Sequence, residues 1–298
     1  MHKPVLLSEC IQALEIKSGD TIVDCTVNRG GHSKEVLKFL GKGSKLVCID
    51  LDNEALEEAK QNLSEVAKKR GVEVYFVNDN FRNIKSILET IGIDKVNGLL
   101  ADFGLSSEEL DSSERGFSFR YDEPLYMTLK NTVEESDLTA KDVVNDWSYE
   151  TLSSVLFSFS DERYANRIAR QIIKEREIKP ITTTFELIEV IRRAVPKEYI
   201  YGKIHFATKS FQAIRMAVND DLGAITSLIN VLPDILIKEG RAAVITFHST
   251  EDRLVKHEVR KREEFLTFIN KKAIVPEESE ISNNKRARSA QLRIIKNK

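Results

Sequence analysis

The chain has 298 residues, 41% of them hydrophobic, which is enough apolar material to bury the core of one large domain or two modest ones. Its 45 Lys and Arg against 47 Asp and Glu leave a net charge of −2, which argues against a protein that coats nucleic acid but leaves room for a local basic patch. No apolar run approaches the ~20 residues of a membrane span, and His2-Lys3-Pro4-Val5-Leu6-Leu7 lacks the apolar core of a signal peptide, so a cytoplasmic protein with no membrane partner is expected. Cys10, Cys25 and Cys48 are odd in number and unclustered, with two of them in predicted core strands. Neither a disulfide nor a zinc site is expected, and the three are read as small buried hydrophobes.

In chain order, the first hundred residues alternate strand and helix: strand 21–25, helix 33–40, strand 45–50, helix 54–69, strand 72–77, helix 84–91 and strand 96–102. Three βα units in succession predict an α/β fold with a parallel sheet. Asp24-Cys25-Thr26-Val27-Asn28-Arg29-Gly30-Gly31-His32-Ser33 joins the first strand to its helix through paired glycines, where an α/β sheet binds a nucleotide-like ligand. The next strand, Leu46-Val47-Cys48-Ile49, ends in Asp50, a carboxylate placed to accept hydrogen bonds from ribose hydroxyls. The glycine pair alone fits a dinucleotide, a flavin, S-adenosylmethionine or a plain tight turn. Asp24, Asp50 and Asp102 all stand at carboxyl ends of strands and are expected to converge on one rim. Three acids would repel a pyrophosphate but suit a cationic sulfonium that carries ribose and amino groups, which favours S-adenosylmethionine over NAD.

Beyond Asp102 the strand signals stop and helical periodicity takes over. Helices are predicted over 149–157, 161–175 and 185–194, the last with an N-cap from the Thr182-Thr183-Thr184 run, and then near 207–218. Strand chemistry returns at 241–247 and completes the sheet, while 265–274 and 289–295 read as a pair of strands around a charged loop. The expected organisation is a discontinuous cofactor-binding domain, 1–106 and 207–298, with an inserted helical domain, 107–206. Lys285, Arg286, Arg288, Arg293, Lys296 and Lys298 form an acid-free C-terminal run. Arg253, Lys256, Arg260, Lys261 and Arg262 follow His248 on a predicted helix, with Glu251, Asp252 and Glu258 placed to neutralise part of that set. Both groups read as phosphate-contacting surfaces, with a solvated charged face as the alternative. His248, Glu251 and Asp252 lack a second His or Cys cluster, so no metal is expected and a structural or substrate-positioning role fits them better.

Five motifs then occur in a fixed order: Asp102-Phe103-Gly104-Leu105-Ser106-Ser107, Arg115-Gly116-Phe117-Ser118-Phe119, Phe211-Gln212-Ala213-Ile214-Arg215, Phe247-His248-Ser249-Thr250-Glu251-Asp252-Arg253 and Arg286-Ala287-Arg288-Ser289-Ala290. Together they resemble the bacterial 16S ribosomal RNA cytosine-N4 methyltransferases, the MraW/RsmH family, from His2 to Arg293. The resemblance implies a Rossmann-like S-adenosylmethionine methyltransferase sheet, a helical insertion for substrate recognition, and methylation of a decoding-centre cytidine of 16S ribosomal RNA in the small subunit, with a homodimer as a candidate assembly. It implies cofactor contacts at Gly30, Gly31, His32, Asp50, Phe81, Asp102 and Glu109. The glycines offer backbone approach, Asp50 a ribose partner and Phe81 an adenine wall, while His32 and Phe81 read equally as packing residues.

Cytosine N4 donates its lone pair into the ring, so a group that accepts the amino proton would raise its nucleophilicity. Asp102 is the first candidate, with Ser106, Ser107 and the backbone of the Gly104 loop to hold the base and Phe103 to offer it a face or edge. The alternatives are that Asp102 only binds cofactor and that the serines cap a helix, Ser107 being followed by Glu108 and Glu109. The chain departs from the family pattern at Asn28, Glu109, Tyr126, Thr128, Lys130, Phe206, Lys209 and Thr250. The departures at 126–130 motivate a second reading, an RNA-binding ribosome-assembly factor with weakened or lost catalysis. A methyltransferase with another acceptor lacks the Pro-Pro-aromatic expected of DNA cytosine-N4 enzymes, and a nicotinamide dehydrogenase lacks a third loop glycine at His32-Ser33-Lys34.

Overall fold

The computed structural model describes residues 4–105 and 114–298, in two compact units: Met1–Gly104 with Leu222–Lys298, and Leu105–Asp221. The first is built on a seven-stranded sheet of order β3-β2-β1-β4-β5-β7-β6. Its strands are β1 Thr21–Asp24, β2 Lys45–Asp50, β3 Glu73–Asn78, β4 Val96–Asp102, β5 Leu236–Thr246, β6 Leu266–Phe268 and β7 Gln291–Asn297. β1 to β5 run parallel, and β7 pairs antiparallel with β5 and β6.

Parallel strands are covered on both faces, so they read as near-continuous apolar runs. Alternate residues separate those faces. Val23, Val47, Ile49, Leu99, Ala101, Ala242 and Val244 share a core with Ile84, Ile87 and Leu88 of α4 (Ile84–Thr90), Leu228 and Leu232 of α11 (Asp221–Ile235), and Val255 and Val259 of α12 (Ser249–Lys261). On the other face, Ile22, Leu46 and Cys48 pack with Val36 of α2 (Gly31–Val36) and with Leu56, Ala59, Leu63 and Ala67 of α3 (Asn53–Arg70). Leu100, Ala243 and Ile245 pack there against α1 (Leu7–Leu14). α3 shows why these segments are helical: Asp52 accepts the Ala55 amide at the N-terminus, an apolar stripe recurs every three or four residues, and Gly71 closes the C-terminus at φ 70°.

The second unit contains α5 Ala140–Asp146, α6 Tyr149–Ser160, α7 Ala165–Arg176, α8 Thr184–Ala194, α9 Lys197–Ile200 and α10 Thr208–Asn219 around their own apolar core. Thr183 and Glu186 form the capping box that starts α8. α10 was expected with the sheet, but it belongs to the helical unit because Phe211, Ala213 and Ile214 are buried in the helical core. The expected strand pair at the C-terminus is shorter than its hydrophobicity suggests. Ile274 meets Leu292 only as an isolated bridge, and α13 (Glu278–Asn283) with a 3₁₀ turn at Lys285–Ser289 fills the charged loop.

The C-terminal basic run divides on folding. Arg293 stands on β7 with its side chain 9% exposed and grips the 7%-exposed Asp252 of α12 through two bonds, Nε to Oδ1 at 2.7 Å and Nη2 to Oδ2 at 3.2 Å. It is therefore a structural ion pair and not a phosphate contact, because a strand flanked by two others turns its alternate residues into the core. On α12, Lys256 pairs with Asp252, and Lys261 and Arg262 pair with Glu258. For those three cations the neutralised reading holds.

Candidate active site

Sheet order reverses at β1, whose neighbours are β2 and β4, and a crevice at the carboxyl ends of such strands is where open α/β sheets bind ligands. The loop after β1 extends the pairing of both neighbours before it turns: Cys25 N donates to Leu100 O at 2.8 Å and Val27 N to Ile49 O at 3.0 Å. The turn itself uses two left-handed residues, Asn28 at φ 46° and Gly30 at φ 84°. A Cβ on Gly30 would stand 3.0 Å from the Leu63 side chain, so both backbone and packing require glycine. Asparagine is among the few side chains that tolerate this region, and Asn28 Oδ1 accepts the Arg29 amide at 2.8 Å. We expect Asn28→Val to lower stability by about 1–2 kcal/mol, because a branched Cβ in a left-handed position is strained. Asn28→Gly should stay within about 0.5 kcal/mol of the parent. Equal melting temperatures for Val and Gly variants would show that the strain is absent.

Asp50, at the end of β2, orients the loop. Oδ2 accepts the Asn28 amide at 2.7 Å and Oδ1 the Asp52 amide at 3.0 Å, so its carboxylate spans the first loop and the start of α3. Asp102, at the end of β4, receives Thr26 support: its backbone amide donates to Thr26 Oγ1 at 2.8 Å, and its Oδ1 accepts the Gly104 amide at 3.2 Å. A Cβ on Gly104 would come within 2.7 Å of the Phe247 ring, so the chain can turn there only without a side chain. Phe81 and Phe103 stack with centroids 5.5 Å apart and an interplanar angle of 30°, which puts an aromatic shelf beside β4 and the 3₁₀ turn that follows β3. Behind them, the buried Glu251 accepts the Phe247 amide at 2.8 Å, and His248 caps α12 with Nδ1 accepting the Glu251 amide.

Asp24 departs from expectation. It ends β1 opposite Cys48 and Leu100, two residues short of the other two acids along the sheet, and it is 1% exposed, with its carboxylate turned inward to accept Ser33 Oγ at 2.7 Å and the Thr26 amide at 3.2 Å. Burial raises its pKa, against the lowering pull of His32, Ser33 and Thr26. Two acids, not three, therefore face the rim, and Asp24 pins the loop from below. His32 is also buried, with Nε2 3.0 Å from the Val5 carbonyl oxygen, so this nitrogen holds the N-terminal segment against the loop. Gly31 is exposed at the helix start. Ser106, Ser107 and Glu109 lie outside the described residues. Cys10, Cys25 and Cys48 are buried, and burial pushes each thiol well up, so none supplies a thiolate nucleophile at neutral pH.

The donor set suits a cationic nucleoside bearing an amino acid: two strand-end carboxylates for hydroxyl and amino donors, a glycine turn open to close approach, and an aromatic shelf for a base. Sequence reasoning missed Thr26 and the Phe81–Phe103 stack. A hydroxyl placed just past an apolar strand was the available signal for Thr26; Phe81 and Phe103 were each read from the sequence, and only packing brings their rings together.

The MraW methylase family matches the chain over residues 1–298. A ribosomal RNA small subunit methyltransferase H from Finegoldia magna is 43% identical over 98% of this chain and 97% of its own length. One from Clostridioides difficile is 42% identical over 98% and 97%. Among solved structures, a putative rRNA methylase from Clostridium thermocellum superposes at TM-score 0.47 with 9% identity, covering 100% of this chain and 98% of that one.

Proposed function

The chain belongs to the MraW methylase family and is an S-adenosylmethionine-dependent rRNA methyltransferase, and from that premise we propose that its acceptor is the exocyclic N4 of a decoding-centre cytidine of 16S ribosomal RNA in the small subunit. The observation that carries the reading is the placement of Asp50 and Asp102 at the ends of β2 and β4, on either side of β1. When bound, S-adenosylmethionine supplies a methyl group already activated on a sulfonium, so the protein's tasks are orientation and proton handling. Asp50 accepts the ribose hydroxyls, the Gly30-Gly31 turn lets backbone amides approach the methionine portion, and Phe81 walls the adenine. Asp102 accepts a hydrogen bond from the cytosine amino group, holds its lone pair toward the donor and receives the proton as the new N–C bond forms. Ser106 and Ser107 are proposed to hold the base. A cytoplasmic site of action is part of this reading, and among the described residues no helix is long and apolar enough to cross a membrane.

The segment that prompted the assembly-factor alternative is firmly tied within the helical unit. Arg115 Nη1 donates to Leu129 O at 2.9 Å, Asn219 Oδ1 accepts the Leu129 amide at 2.9 Å, Asn219 Nδ2 donates to Met127 O at 2.7 Å, and Lys130 pairs with Asp137. Thr128 is buried, and its Oγ1 accepts the Lys130 amide at 3.3 Å. Phe206 is buried against His205, and Lys209 Nζ donates to the Asp161 carbonyl at 2.8 Å, at the end of α6. These departures form consistent local packing.

The test is methyl transfer from labelled S-adenosylmethionine to small subunits lacking the modification, with the product nucleoside identified by mass spectrometry. N4-methylcytidine is expected; a different methylated nucleoside would overturn the acceptor, and binding without product would favour the assembly factor. Asp50→Ala should weaken S-adenosylmethionine binding by at least about tenfold in calorimetry, since it removes the proposed ribose acceptor and releases the Asn28 and Asp52 amides together. Unchanged affinity would refute the ribose assignment.

A further inference from the structure

Arg167, Arg170 and Lys174 recur at spacings of three and four residues along α7, with Arg163 just ahead of the helix, so all four lie along one exposed face. None of the four forms an ion pair among the described residues. That sets them apart from cations elsewhere on helical surfaces: Lys60 sits on Glu57 and Lys69 on Glu65 along α3, and Arg192 sits on Glu189 along α8. Nearby carboxylates are engaged away from the stripe. Glu162 is fully buried, where it accepts the Tyr164 amide and the Tyr199 hydroxyl, and Glu175 takes Arg193 and Gln171.

Aromatic rings do what carboxylates would otherwise do. The Arg163 guanidinium lies 4.8 Å from the Tyr164 centroid and 4.9 Å from Tyr199, Arg167 is 5.7 Å from Tyr164, and Arg170 is 6.0 Å from Tyr149. The rings are themselves fixed. Tyr164 and Tyr199 pack edge to face at 4.9 Å, and the Tyr149 hydroxyl donates to Asn166 at 3.3 Å. A ring face orients a guanidinium without cancelling its charge, so the arginines are held in place with their full positive charge still to be met.

We propose that this stripe on α7 grips the phosphate backbone of the RNA substrate at a single-stranded or looped segment. The proposal rests on the rRNA reading for the identity of the partner. Periodic cations outside any ion pair, three of them oriented by aromatic rings, suit a polyanion with regularly spaced charges, and contacts of this kind set register and affinity without reading sequence.

The experiment titrates three proteins with a fluorescently labelled single-stranded RNA oligonucleotide and with small ribosomal particles across a salt series. They are the parent, the triple variant Arg167→Gln/Arg170→Gln/Lys174→Gln, and the control Lys60→Gln/Lys69→Gln. Each phosphate contact to a single strand contributes about 0.7 to the slope of log affinity against log salt, so the triple variant should flatten that slope by about 2 and bind at least about tenfold more weakly near 0.1 M salt. Its helical circular dichroism and S-adenosylmethionine affinity should match the parent, and the control should keep the parent's slope. An unchanged slope in the triple variant would overturn the proposal, as would equal flattening in the control. If the cytosine-N4 reading fails instead, the parent makes no N4-methylcytidine while its RNA affinity still depends on the stripe.

Discussion

Asp102→Asn is expected to slow methyl transfer by about 10²- to 10⁴-fold at saturating substrates, the range associated with loss of a positioned proton acceptor. The variant is chosen because it preserves shape. The amide oxygen can still accept the Gly104 amide, which Asp102 Oδ1 holds at 3.2 Å, and the backbone bond from Asp102 N to Thr26 Oγ1 is untouched. What changes is the charge and the capacity to take up a proton. Melting temperature should therefore move by no more than a degree or two, about what a sub-kcal/mol change gives in a chain of this size. The measurement is single-turnover transfer, with cofactor affinity determined separately by calorimetry. A near-normal rate with normal cofactor binding would remove Asp102 from proton handling and leave it a positioning group. The loss should exceed that in Asp50→Ala once cofactor is saturating, since the proposed role of Asp50 is in binding and that of Asp102 is at the reacting nitrogen.

The largest effect on stability is expected at the Arg293–Asp252 pair. Arg293→Met should cost about 3–5 kcal/mol, because the change leaves a carboxylate buried without its bidentate partner. In Arg293→Met/Asp252→Leu much of that loss should return, since a buried ion pair is often no more stable than an apolar replacement. Recovery in the double variant would show that the cost lies in the stranded charge; equal loss in both would show that the Arg293 stem and its contact with the Phe268 ring, 5.7 Å away, carry the stability. The pair also predicts acid sensitivity. Burial pushes the Asp252 carboxyl up, but hydrogen bonds and charge from Arg293 and Lys256 pull it further down, so its folded pKa lies below the ordinary carboxylate value. A depressed carboxyl contributes stability that is present above its unfolded pKa, near 3.9, and is lost as pH falls through the lower folded value. Urea unfolding followed from pH 6 toward pH 2 should show this loss in the parent and little of it in Arg293→Met/Asp252→Leu.

What the sequence by itself determined is local. Apolar runs ending in Asp50 and Asp102 set the strands and the ends that carry the rim acids, because a parallel strand covered on both faces must be apolar throughout and turns polar where it leaves the sheet. The Thr183 cap of α8, the paired glycines after β1 and the five ordered motifs were likewise readable, since each depends on neighbours a few residues away. Tertiary structure decided which way a side chain at a known position faces. Asp24 and Asp50 both end strands of one sheet, yet Ser33 and the Thr26 amide draw Asp24 inward while the Asn28 and Asp52 amides hold Asp50 at the rim. Arg293 looked like one more cation in a basic tail until β7 took its place between β5 and β6 and Asp252 met it from α12. The arginines of α7 carry no distinguishing signal in the sequence. Whether a cation is neutralised depends on residues far away in the chain, and only packing shows that α3 supplies carboxylates to its lysines while α7 supplies tyrosine rings to its arginines. Spacing along one helix or strand fixes which residues share a face; the partner that meets that face, and hence its charge and chemistry, comes from contacts between segments distant in sequence.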